Sequence, residues 1–171
     1  MKIANFEIPE EIVLNNKKLK LNGAAMRTKF FINTYIIALY SEKPIYNEEE
    51  AIYSSIPRCL RMLITTPLAT PSAVSQNIGS GLKEGMNEKE YKKLQPTLEE
   101  IKSIIEKTNT GYKDYIDNFY DSDKSFSYLK NGTLLGKSED TNGQIFAEAI
   151  FNLYFGKKPK DNKIKKALLN G

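Results

Sequence analysis

The chain has 171 residues, 40% of them hydrophobic and 27% charged, the balance of an ordinary globular domain long enough to enclose a core and a pocket. It has no histidine and one cysteine, which excludes a Ser-His or Cys-His nucleophile, histidine general-base catalysis, the usual zinc and iron ligand sets and an internal disulfide. The formal charge of +4 is carried by scattered lysines rather than one basic stripe, which argues against nucleic-acid binding.

The opening run MKIANFEIPEE lacks the apolar centre of a signal peptide, as expected of a cytoplasmic protein, or of a periplasmic or secreted one whose signal has been removed. Phe6 to Ile8 and Ile12 to Leu14 read as short strands around Pro9, and Asn15-Asn16 as a turn before a strand over Lys18 to Leu21. Gly23 permits a bend. The most informative stretch follows. Arg27 stands at the mouth of an apolar and aromatic run, with Phe30, Phe31, Ile32 and Tyr35 to Tyr40 reading as one long buried strand. A cation beside such a wall needs a partner. Either Arg27 pairs with a protein carboxylate, or it receives an acidic ligand.

Asn47 caps a short helix, with Glu48 to Glu50 favourably placed against its dipole. Arg58 to Thr65 is the next strand, in which Cys59 reads as a small buried thiol. Thr70 is an N-cap with Pro71 at the first helical position, and Val74, Ile78 and Leu82 form one apolar stripe. Gly79 and Gly81 within that helix read as packing contacts or as the lining of a ligand tunnel. Thr97 and Glu100 form a capping box for a second helix, turning Leu98, Ile101, Ile104 and Ile105 inward.

Gly111 marks the return to strands. Tyr112, Tyr115, Phe119 and Tyr120 precede the polar turn DSDK, and Phe126, Tyr128 and Leu129 lead into Asn131-Gly132, a strong hairpin signal, with Leu134 and Leu135 returning. Ile145, Ala149, Ile150, Leu153 and Tyr154 outline a helix that stops at Gly156. The basic run GKKPKDNKIKK reads as solvated surface, and Ile164, Ala167 and Leu168 as a short closing helix. No stretch reaches the roughly 18 apolar residues of a membrane span. Strands, then helices, then a hairpin, then helices predict an α+β chain with helices over one face of a large antiparallel sheet. No repeat or linker divides it, so residues 1–171 are expected to form a single domain.

The pattern LNGAAMRTKFFINTYIIALY resembles the opening of the chalcone isomerase-like family, especially its bacterial members. The likeness continues through FSYLKNGTLLGK and IFAEAIFNLYFGKKP, about residues 6 to 169. The resemblance implies an open-faced β-sandwich, a large antiparallel sheet backed by helices with a ligand cleft between them. It also implies one of two functions. Plant enzymes of the family cyclise a chalcone to a flavanone, whereas related members hold a fatty-acid carboxylate and catalyse no known reaction.

By this resemblance Arg27 falls on the arginine that meets the anionic ligand oxygen. Tyr35 lands where the enzymes carry a threonine and the binders a tyrosine paired with the arginine. A last polar position, before the C-terminal helix, lands near Ser138. The enzymes' tyrosine and asparagine on the cleft helix fall near Ala73 and Ser80, which supply neither phenol nor amide. Tyr91 and Asn77 lie nearby, off the family's spacing.

The expectation is non-catalytic binding of a fatty acid or similar amphipathic anion, with Arg27, Tyr35 and Ser138 as ligand-binding residues. Phe31, Ile37, Met62, Ile64, Val74 and Ile78 are candidates for the tail pocket, of which strand alternation admits only some. The alternative is an intramolecular lyase in which Arg27 stabilises an oxyanion and Tyr35 or Ser138 organises water. A structural protein with a collapsed cleft is the third reading. No catalytic residue, metal ligand or cofactor is assigned, and the oligomeric state is left open.

Overall fold

Alternation with period two and three tight turns build the sheet. The computed structural model describes residues 1–169. β1 (Lys2–Ile3) and β2 (Phe6–Glu7) form a small antiparallel pair. A seven-stranded antiparallel sheet follows in chain order: β3 (Glu11–Leu14), β4 (Lys17–Lys29), β5 (Ile32–Ser41), β6 (Arg58–Ile64), β7 (Tyr115–Tyr120), β8 (Phe126–Lys130) and β9 (Thr133–Ser138). α1 (Glu48–Tyr53) links β5 to β6; α2 (Pro71–Gly85) and α3 (Glu88–Lys107) link β6 to β7; α4 (Asp140–Phe155) and α5 (Asn162–Leu169) close the chain.

The hairpins Asn15-Asn16 and Asn131-Gly132 turn as the sequence predicts, through left-handed φ values of 47° and 59°, and of 49° and 82°. Phe30 and Phe31 make a third such turn, with φ of 50° and 65°. They are not part of a buried strand. Lys29 pairs with Ile32, so the chain reverses within the apolar run and throws both rings into solvent. For an L residue that conformation costs about 1–2 kcal/mol.

β4 runs unbroken through Gly23, with the register shift of a bulge beside it, where a strand bends. Gly23 also admits α5, because a Cβ there would sit 2.2 Å from the Ala167 carbonyl oxygen. Asn22 completes this clamp. Its Nδ2 donates to Ile45 O at 2.9 Å and Leu168 O at 2.7 Å, while its Oδ1 accepts from Ile45 N at 2.8 Å.

Asn47 and Thr70 cap α1 and α2 as expected, accepting from Glu50 N at 2.9 Å and Ala73 N at 3.2 Å. The capping box at Thr97 is a misreading. α3 starts at Glu88, capped by Asn87, and continues through Pro96. Leu94, Leu98, Ile101 and Ile105 form one buried stripe across the proline, and that packing outweighs the hydrogen bond it removes.

The sheet buries both faces. Leu39, Leu60, Ile116 and Tyr128 face the helices. Ile36, Ala38, Tyr40, Cys59 and Phe119 face the other way and are covered by Ile8, Ile12, Leu14 and Leu19. Two other arginines find partners inside the protein. Arg58 donates to the carbonyls of Ala51, Ile52, Ser54 and Ile56 at 2.6–3.0 Å, satisfying the end of α1, and burial draws its pKa down to about 10. Arg61 holds Asp117 through two bonds of 2.7 and 2.8 Å. Cys59 is buried as expected, its thiol pushed well up by burial and so unreactive. Gly23→Ala should lower unfolding free energy by roughly 1–3 kcal/mol in urea titrations, since the α5 backbone must move.

Candidate functional site

Four adjacent strands carry one residue each to the same side at every second position. Arg27 pairs with Tyr35, and Tyr35 with Ile64; in the next row Ala25 pairs with Ile37, Ile37 with Met62, and Met62 with Ile116. This surface faces α2 and α4 across a cavity of about 380 Å³, within the range of small-molecule pockets. Ile37, Met62, Ile64, Val74 and Ile78 line it, as expected, together with Ile150 and Leu153. Its walls are mainly apolar.

The polar groups gather at the mouth. The Thr34 hydroxyl donates to the Arg27 carbonyl at 2.9 Å, fixing the backbone that aims the guanidinium inward. Arg27 lies 5.9 Å from the centre of the Tyr35 ring. Its Nη1 is buried and has no hydrogen-bond partner among the described residues. The Tyr35 and Tyr154 hydroxyls lie 3.3 Å apart. Burial pushes the Tyr35 phenol up, opposed by its contact with Tyr154 and by the Arg27 charge. Burial pushes Tyr154 higher still, so both phenols remain neutral donors at physiological pH. Deeper in, Asn118 donates from Nδ2 to Leu60 O at 3.3 Å, and its buried Oδ1 is unpartnered.

The sequence reading missed Lys160. It belongs to the basic run taken as solvated surface, yet its side chain lines the cavity, passing 3.1–3.2 Å from where a Cβ on Gly81 would sit. Gly81 therefore makes room for an amine. Desolvation first, then the Arg27 and Lys29 charges, lower the Lys160 pKa to about 8, against a raising pull from Glu84. The only signal in the sequence was the glycine itself; spacing along the chain gives no hint that residues 81 and 160 meet.

Two expected site residues stand elsewhere. Phe31 is fully exposed at the β4–β5 turn and does not line the cavity, because the hairpin reverses before it. Ser138 ends β9, paired with Phe126 and separated from β4 by four strands, about 24 Å of sheet. It shares no cavity with Arg27. Ala73 and Asn77 do line the cavity, whereas Ser80 is exposed and donates to Gln76 O at 3.0 Å.

Fold and site together define an open-faced β-sandwich with a cationic, otherwise apolar cleft between its sheet and its helices. The family model described as chalcone isomerase-like matches residues 1–170, and the chain belongs to that family. Among solved structures, a fatty-acid-binding protein of Arabidopsis thaliana matches with a TM-score of 0.67 at 16% identity, covering 94% of this chain and 96% of that one. Curated protein sequences give no match.

Lys160 should titrate near pH 8, below its ordinary 10.5, and Arg27→Met should move it part of the way back, as followed by side-chain NMR. The sign for stability follows. Between about pH 8 and 10.5 the unfolded chain still holds the proton that the folded chain has lost, so wild type gains stability relative to Lys160→Met as pH rises through that window.

Proposed function

We propose that the chain binds a fatty acid, or a similar single-chain amphipathic anion, in this cleft without transforming it. One observation carries the reading: a buried guanidinium nitrogen without a partner, in a cavity whose described lining residues include no Asp or Glu. Such a charge is costly unless paired. A ligand carboxylate supplies charge-assisted hydrogen bonds to Arg27, with the Tyr35 hydroxyl and the Lys160 amine alongside. The acyl tail lies along Ile37, Met62, Ile64, Val74 and Ile78. The fold's likeness to a fatty-acid-binding protein supports this reading.

Lys160 favours a second reading, an intramolecular lyase. An amine with a pKa of about 8 can take up a proton near neutral pH, while Arg27 and the two phenols stabilise an oxyanion. Turnover of a chalcone well above its spontaneous rate, abolished by Arg27→Ala, would replace the binding reading with this one.

In titrations with a fluorescent fatty acid, Arg27→Met should weaken binding about 10- to 100-fold and Tyr35→Phe about 2- to 10-fold. Arg27→Met should also raise the thermal midpoint of the ligand-free protein, because it removes a buried guanidinium nitrogen that has no partner among the described residues. Unchanged affinity in both variants, together with no acyl species in denaturing mass spectra of the purified protein, would end the carrier reading. A further titration separates the cations. Affinity should be full below about pH 8 and decline above it as the Lys160 amine loses its proton, and Lys160→Met should flatten that profile.

A further inference from the structure

We propose that the Phe30-Phe31 turn is a membrane-docking tip that sets the mouth of the cleft against an anionic lipid bilayer. The proposal rests on the reading above for the identity of the cargo, and on separate observations for the docking itself.

The first is exposure. Phe30 is 82% exposed and Phe31 fully so, at 103%, while Leu68 and Ile32 nearby are 70% and 41% exposed. Phe30, Ile32 and Leu68 also line the cavity, so apolar side chains of the tip belong to the cleft as well. A projecting turn with two rings at its apex suits insertion among lipid headgroups, where aromatic side chains partition well. No helix among the described residues is long and apolar enough to cross a membrane, so the contact is with the surface.

The second is the backbone. The two-residue turns at Asn15-Asn16 and Asn131-Gly132 place Asn-Asn and Asn-Gly in the left-handed region, where those residues sit at little cost. Here two phenylalanines hold it instead. Phe31 is fully exposed, so its own ring offsets none of the strain.

The third is charge. Residues 22–41, which carry the turn, and residues 51–83, which carry Leu68 and the start of α2, contain no Asp or Glu. Lys29 Nζ lies 5.6 Å from the centre of the Phe30 ring, placing a cation and an aromatic face at the same point. Lys160 lines the same cavity, and the exposed Lys157 and Lys158 precede it; Asp161 and Glu84 are acids whose charges reach Tyr35 and Lys160. The balance favours an anionic surface. An acyl chain leaving such a bilayer would enter the cleft without crossing water.

Flotation of delipidated protein with vesicles of phosphatidylcholine and about one third phosphatidylglycerol tests this. Wild type should float, and pure phosphatidylcholine should reduce the bound fraction several-fold. Phe31→Asn suits the turn geometry and lies outside the cavity. It should lower partitioning about tenfold while leaving fatty-acid affinity in solution unchanged. Wild type that binds fatty acid but never floats overturns docking and leaves the carrier reading standing. Docking by both wild type and Arg27→Met, with no fatty-acid affinity in either, overturns the carrier reading and leaves docking standing. If wild type does not float and Phe31→Asn instead lowers the mass in solution, the tip joins two copies of the chain and the proposal is wrong.

Discussion

A single alternation, held in register through β4, β5, β6 and β7, decides what faces the cleft. Slipping the β4–β5 ladder by one residue would turn Arg27 to the opposite side, against Ile36, Tyr40, Cys59 and Phe119. The register is fixed at both ends of the β4–β5 pair. At one end stands the two-residue turn at Phe30-Phe31; at the other, Asn22 ties β4 to Ile45 and Leu168 beside the gap left by Gly23. The C-terminal helix, far from Arg27 in sequence, is thereby part of what aims the guanidinium.

Three arginines on the helix-facing side and its neighbour show three ways of meeting the same physical demand. Arg58 satisfies the last carbonyls of a helix, and Arg61 grips a fully buried carboxylate from both guanidinium arms. Neither leaves a buried nitrogen without a partner among the described residues. Arg27 alone keeps a buried nitrogen open, with a second cation, Lys160, beside it rather than an anion. The fold can satisfy buried guanidinium groups, so the open one reads as a feature of the cleft and not of the architecture.

The architecture was largely legible in the sequence, because strands, caps and the Asn-Gly hairpin are local signals. So was the conjunction of Arg27 with Tyr35 and of five apolar residues lining one cavity, since alternation and helical spacing carry that information. The misreadings share a cause. Phe31 was placed in a strand because an apolar run does not announce where it reverses, and only the pairing of Lys29 with Ile32 shows it. Thr97 and Glu100 present a helix start because the capping pattern is local, while the stripe that carries α3 through Pro96 depends on tertiary packing. Ser138 and Lys160 were misjudged in opposite directions for one reason: neither distance along the chain nor residue type tells which side chains converge.

Gly81 shows how little separates this cleft from a different one. The Lys160 amine occupies space that exists only because one helical position lacks a β-carbon. An alanine there would nudge the amine by a fraction of its length, and a larger side chain would evict it and leave Arg27 and Lys29 as the cations lining the cleft. The charge of the cleft is thus adjustable at a position that bears no charge. A lineage could retune which anions it accepts by swapping hydrogen for carbon on α2, leaving the guanidinium, the sheet register and the acyl channel untouched.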